Sequence, residues 1–128
     1  MATPRLSKLD LQIMEALWTR GALSIREIQE SFPERHRPAY TTVQTTVYRL
    51  EAKGVVNRIR MSTSFHMFEP AITREAAQRT LIDELLAIIG GESRPVMTRL
   101  IETGRMTKED IQYAEKILEE GRKRGKRK

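Results

Sequence analysis

The sequence contains no cysteine. Disulfide staples and thiolate metal sites are therefore excluded, and the fold must be held by packing and hydrogen bonding alone. Histidine occurs only at positions 36 and 66, too few to suggest a zinc site. Aromatic residues make up 5% of the 128 residues, against 31% charged residues. That balance points to a helical, heavily solvated protein. No apolar run is long enough to span a bilayer, and none of signal-peptide type stands at the N-terminus. The expectation is a cytoplasmic protein. There is no Gly-rich phosphate loop, no Ser/His/Asp grouping and no metal motif, so neither catalysis nor a cofactor or metal is expected. The adjacent carboxylates Asp83-Glu84 and Glu119-Glu120 read as solvated helix faces.

Positive charge is present but unevenly spread. The net charge is +6, and residues 122–128 alone hold six Lys or Arg. Residues 1–70 carry 10 basic and 7 acidic side chains, and residues 71–121 carry 7 basic and 10 acidic. A basic first half joined to an acidic second half suits a nucleic-acid-binding region followed by an association region.

The most informative stretch is Ala39 to Gly54. At the helical period Val43, Val47 and Leu50 share one face, with Thr46 beside them. Thr41, Thr42, Gln44, Thr45, Tyr48 and Arg49 take the other side. Hydroxyls, an amide, a phenol and a guanidinium suit base edges and phosphates better than burial. Lys53-Gly54 ends this helix. Two short helices precede it. Ser7 and Asp10 begin the first, where Ile13, Met14 and Leu17 form the stripe beside Trp18 and Gly21 stops it. Ser24 and Glu27 form a capping box for the second, with Leu23, Ile25, Ile28 and Phe32 as its buried contacts. Pro33 and Pro38 bracket a charged turn. Val55 to Glu69 reads as two strands around a polar tip, Met61-Ser62-Thr63-Ser64. Val56, Arg58 and Arg60 share one face of the first strand, and Pro70 ends the second. Helix followed by ribbon suggests a winged helix-turn-helix whose third helix enters a DNA major groove.

Beyond residue 71 three further helices are expected. Thr73 caps Arg74 to Ile89, Ser93 caps the next, and Thr107 caps the last, which Gly121 closes. Their apolar positions are Leu81, Ile82, Leu85, Leu86, Ile88 and Ile89, then Val96, Met97, Leu100 and Ile101, then Ile111, Ala114, Ile117 and Leu118. Three short amphipathic helices are too few to enclose that much apolar surface alone, so a second copy of the chain is the expected remedy. The division is thus residues 1–71 as a winged-helix domain, 72–121 as a helical dimerisation domain and 122–128 as a disordered basic tail. The fold class is mainly α, with three helices and a hairpin wing followed by three helices. The expected dimer contacts are Leu81, Ile82, Leu85, Leu86, Ile89, Val96, Leu100, Ile111, Ile117 and Leu118.

Several of these segments carry a resemblance to a known family. They are Leu9 to Trp18, then Ala39-Tyr40-Thr41-Thr42-Val43 through Arg49-Leu50 and Lys53-Gly54, then Phe68-Glu69-Pro70. Gly90-Gly91-Glu92-Ser93 and Thr107-Lys108-Glu109-Asp110 follow in order. Over residues 5–120 the chain resembles the BlaI/MecI family of bacterial penicillinase-type repressors. The resemblance implies a winged-helix domain, a helical dimerisation domain, and a homodimer on a pseudo-palindromic operator that represses nearby genes. It also implies relief of repression by a membrane sensor-protease, or a protease it activates, cutting in the dimerisation region. Aligned on Gly90-Gly91, that position falls at Arg99-Leu100, where the family pattern is Asn-Phe. The family's copper-responsive branch carries a C-terminal cysteine motif, which this chain lacks.

Candidate DNA-contacting residues are therefore Thr41, Thr42, Gln44, Thr45, Tyr48, Arg49, Arg58 and Arg60. Gln44 is the best candidate for base readout, since an amide pairs bidentately with adenine. Arg49 has two readings, a phosphate contact or a pair with a carboxylate of its own fold. Arg58 and Arg60 are read as phosphate or minor-groove contacts of the wing, with a charged strand edge as the alternative. Two other functions stay open at this stage: a winged helix used as a protein-interaction module, and a tail-driven, non-specific nucleic-acid-binding protein.

Overall fold

The computed structural model describes residues 3–125. By its internal contacts the chain forms two compact units that meet between Leu85 and Leu86.

In the first unit, helix α1 (Lys8–Arg20) begins with reciprocal bonds. The Asp10 amide donates to Ser7 Oγ at 3.1 Å, and the Ser7 amide donates to Asp10 Oδ2 at 2.9 Å. The short Asp at the third helical position thus completes a full capping box. Helix α2 (Ile25–Glu30) is opened the same way by Ser24 and Glu27. A 3-10 turn, Glu34–His36, follows Pro33. The Arg37 guanidinium donates to the carbonyls of Phe32 and Glu30, satisfying acceptors just past and at the end of α2. Helix α3 (Tyr40–Ala52) buries Val43, Thr46, Val47 and Leu50, the face that periodicity selects. Gly54 adopts φ +79°, which only glycine reaches without strain. The chain thereby turns at once into strand β1 (Val56–Arg60).

Strand β1 pairs antiparallel with β2 (His66–Pro70) in the register Val56↔Pro70, Arg58↔Phe68 and Arg60↔His66. Pro70 is the last residue of β2, a position that proline tolerates. Leu23 adds a single bridge on the far side of β2. Its amide donates to the Phe68 carbonyl at 3.0 Å, and the Phe68 amide returns a bond at 2.8 Å. The α1–α2 loop is thereby fastened to the hairpin, an attachment that strand patterning does not show.

The core gathers Ile13, Met14 and Leu17 of α1, Ile28 of α2, Val43, Val47 and Leu50 of α3, and Val55, Val56 and Phe68. All are 1% exposed or less. Helix α4 (Arg74–Ile88), capped by the Thr73 hydroxyl, adds Ala77 to this cluster. Two further contacts fix its start to α1. The Trp18 indole N–H donates to the Ile72 carbonyl at 3.0 Å, and Arg74 pairs with Glu15 at 2.6 Å while lying over the Trp18 ring. The expected junction at residues 71 and 72 therefore does not coincide with the division by contacts, because the first turns of α4 pack on the winged-helix core.

The second unit comprises the end of α4, then α5 (Arg94–Glu102) and α6 (Lys108–Gly125). Thr107 and Asp110 form a reciprocal cap on α6. Three expectations are corrected here. Ser93 makes no side-chain cap, because its own backbone is already helical (φ −85°, ψ −26°) and its hydroxyl is not aimed at the first-turn amides. Gly121 does not close α6, which runs on to Gly125. Arg122, Lys123 and Arg124 are consequently helical rather than disordered. Cations suit the carbonyl-rich end of a helix, and Arg122 pairs with Glu119 one turn back at 3.1 Å. Residues 126–128 of the expected tail lie outside the described residues. No helix among the described residues is long and apolar enough to cross a membrane.

Candidate nucleic-acid interface

The outward side of α3 carries what the sequence placed there. Thr41, Thr42, Thr45, Tyr48 and Arg49 are exposed, and Gln44 is half-buried. Thr46 faces inward, and its hydroxyl donates to the Thr42 carbonyl at 2.7 Å, so its burial leaves no polar atom unpaired. The residue before the helix, Ala39, offers no side-chain acceptor. The Thr42 amide turns back to the Ala39 carbonyl at 3.1 Å, so the Tyr40 and Thr41 amides are the first-turn donors without a partner among the described residues and remain open to an external anion. Sequence reasoning passed over this feature, although the signal was present: alanine stands where Ser, Thr, Asp or Asn normally caps. Tyr40, exposed at the same end, lies under Arg26 of α2 at 5.4 Å.

Gln44 and Tyr48 project together, as their spacing requires. Gln44 Nε2 donates to the Tyr48 hydroxyl at 3.3 Å. Beyond them an open cleft of about 390 Å³ separates α3 from the hairpin, with Tyr40, Phe65 and His66 also on its walls. Phe68, fully buried, forms its floor, its ring 6.3 Å from that of Tyr48.

The three candidate arginines are placed differently. Arg49 makes the pair within its own fold: Nη2 lies 3.3 Å from Oδ1 of the buried Asp10. About half of its side chain stays exposed, so its remaining N–H groups are open to a phosphate. Arg58 departs from the expected outward wing contact. Its Nε and Nη2 grip the two Glu51 oxygens at 2.9 and 2.8 Å, and its guanidinium lies over the rings of Tyr48 and Phe68. The cause is register. Arg58 sits opposite Phe68 on β1, within reach of the last turn of α3, so a carboxylate and two ring faces engage its guanidinium while about a third of the side chain stays exposed. Hydrogen bonding to Arg58 holds the Glu51 carboxyl below its ordinary range, and the same bonds raise Arg58. Glu51 is a site residue that sequence reasoning missed. Arg60, two residues nearer the tip on the same strand face, is exposed and makes no ion pair among the described residues.

The expected dimer residues form exposed or half-buried apolar faces. Leu81, Ile82 and Leu85 are exposed on the part of α4 that belongs to the first unit. In the second unit Leu86, Val96 and Leu100 are half-buried, while Ile89, Ile111, Ile117 and Leu118 are exposed. Arg99 and Leu100 lie inside α5, where the Arg99 carbonyl accepts from the Thr103 amide and the Leu100 carbonyl from the Arg105 amide.

Comparison with known proteins bears on this surface. The family model described as "Penicillinase repressor" matches residues 6–120. "Transcriptional regulator BlaI" of Mycobacterium tuberculosis (strain ATCC 25618 / H37Rv) is 33% identical over 84 residues, covering 65% of this chain and 60% of that protein. The match therefore spans less than two thirds of the mycobacterial relative. "Penicillinase repressor" of Bacillus licheniformis is 22% identical over 127 residues, covering 96% of each chain. Among solved structures, the DNA binding domain of the repressor BlaI superposes with a TM-score of 0.51 at 22% identity, over 59% of this chain and 93% of that one. The monomeric form of Bacillus licheniformis BlaI, in complex with the blaP half-operator, gives a TM-score of 0.50 at 22% identity and the same coverage. At that identity the two structures speak for a shared winged-helix fold. With most of its length matched by one family model, this chain belongs to the penicillinase repressor family.

Proposed function

We propose that the chain is a sequence-specific DNA-binding transcriptional repressor that acts as a cytoplasmic homodimer on a pseudo-palindromic operator. The single observation that carries this reading is the solvent side of α3, a polar face with an uncapped N-terminus beside an exposed hairpin. Membership of a repressor family supports it, as does the complex of a related fold with a half-operator. In this reading α3 of each protomer enters a major groove. Gln44 reads a base edge, Thr41, Thr42 and Thr45 meet thymine methyls or phosphates, and Arg60 grips the flanking backbone. Activity is binding, not catalysis.

The dimer is formed by the apolar faces of α4, α5 and α6. Each half-site contact then raises the effective concentration of the other. Repression is relieved by a sensor-linked protease acting near Arg99-Leu100. Because that bond lies within α5, cutting requires local opening of the helix. The test is fluorescence-anisotropy titration on DNA from upstream of the protein's own gene, with excess random competitor. Competitor-resistant binding with two chains per pseudo-palindrome is expected. Binding erased by competitor on every upstream fragment would replace this reading with non-specific nucleic-acid binding.

A further inference from the structure

The wing and α3 are joined by one run of side chains: Glu51, Arg58, Tyr48 and Gln44. Arg58 leaves β1 opposite Phe68 and forks onto both oxygens of Glu51 in the last turn of α3. Its guanidinium carbon lies over the Tyr48 ring at 4.9 Å and the Phe68 ring at 5.1 Å. The Tyr48 hydroxyl accepts one N–H of Gln44 at 3.3 Å.

A wing arginine that gripped phosphate would keep its fork free. This one has both Nε and Nη2 on a carboxylate, and its cationic carbon lies over two rings. Planar, bidentate and stacked recognition together favour arginine over lysine. The result is a guanidinium that bridges the Tyr48 ring and the fully buried Phe68 ring, tying Tyr48 to the core. Fixing the ring fixes its hydroxyl, and the hydroxyl takes one of the two amide hydrogens of Gln44. The other N–H and the carbonyl oxygen remain, a donor for adenine N7 and an acceptor for its N6 amino group. A glutamine free to rotate loses that freedom on binding, whereas one already held loses less.

Resting on the reading of α3 as the helix that enters the groove, we propose that Arg58 is a specificity-determining positioning residue. Through Tyr48 it presets the Gln44 amide for adenine, and it does not itself bind phosphate. Glu51 is part of the device because it anchors the guanidinium.

The experiment begins by selecting duplexes from a random pool with the wild-type full-length protein. Affinities of the wild type and of Arg58→Lys, Glu51→Gln and Gln44→Ala are then measured on the selected duplex and on every single-base variant of it. Arg58→Lys keeps the cation but loses the fork and the flat stacking face. Its preference should fall roughly five- to fifty-fold, at the same base pairs where Gln44→Ala loses preference. Glu51→Gln should show the same pattern more weakly, and a thermal melt of each variant confirms that it is folded. An Arg58→Lys protein with wild-type preference at those base pairs would overturn the proposal. So would an Arg58→Met protein that keeps its preference while its salt slope falls by about 0.9 per arginine, the mark of a lost phosphate contact. A wild type that enriches no sequence would instead defeat the repressor reading, and this inference with it.

Discussion

The two units of this chain handle apolar surface in opposite ways. In the first, Ile13, Met14, Leu17, Ile28, Val43, Val47 and Leu50 are wholly removed from solvent. In the second, no described residue is buried, and Ile88, Met97, Ile101, Ile111, Ile117 and Leu118 are all exposed. The helices of the second unit are nonetheless well formed, and α6 is capped. Local signals such as the Thr107–Asp110 box are sufficient to write a helix, but only a partner for its apolar face stabilises a fold. The first unit carries that partner within itself for every helix except along Leu81, Ile82 and Leu85 of α4, whereas the second leaves its apolar faces exposed or half-buried throughout. The difference is the physical reason to expect a second copy of the chain.

The largest effect should come from striking the closed core. Phe68→Ala is expected to destabilise the winged-helix unit by about 3–5 kcal/mol, read by chemical denaturation. It removes a fully buried ring that also underlies Tyr48 and Arg58. Ile117→Ala, measured in dilute monomer, should cost under about 0.5 kcal/mol, because the side chain is already exposed there. Equal losses at the two positions would break the contrast between the units. A second, smaller effect concerns association. Leu85→Asp combined with Ile117→Asp should leave the chain monomeric in sedimentation and weaken binding to an intact pseudo-palindrome by about 100-fold or more. A variant that still dimerised would move the interface elsewhere.

The smallest effect belongs to acid. Glu51 has its folded-state pKa depressed, chiefly by its hydrogen bond from Arg58. Its stabilising contribution is therefore complete above the ordinary carboxylate range and is lost as pH falls through that lowered value. Because the pair is partly exposed, the loss should be slight and confined to the hairpin. Amide protection factors in β1 and β2, corrected for the intrinsic exchange rate at each pH, should fall at acid pH in the wild type, and Glu51→Gln should remove that dependence.

Much of this was legible in the sequence for reasons that are local. The buried face Val43, Thr46, Val47 and Leu50 follows from helical period, and the caps at Ser7, Ser24, Thr73 and Thr107 follow from short-range hydrogen-bond chemistry. What escaped is what depends on register between distant segments. The Leu23–Phe68 bridge joins two residues with no shared pattern. The strand face of Arg58 follows from alternation, but its partner Glu51 lies on another element, and only the turn that folds β1 back against α3 brings fork and carboxylate together. Gly121 carried the usual sign of a helix end. The cations after it and the Arg122–Glu119 pair support continuation, so the glycine stays within α6. Of the DNA-contact candidates, the α3 face was readable because exposure of polar groups is a single-helix property. The split roles of Arg49, Arg58 and Arg60 were not.

Trp18 is the only tryptophan of the chain. Its indole N–H is bonded to the Ile72 carbonyl, and Arg74 lies over its ring. The sole strong fluorophore thus stands where α4 leaves the hairpin and docks on α1. Its emission maximum should shift to longer wavelength when those first turns of α4 peel away, even while the rest of the winged helix stays folded. The molecule thereby carries an intrinsic optical gauge of how α4 is docked on α1, readable without any label.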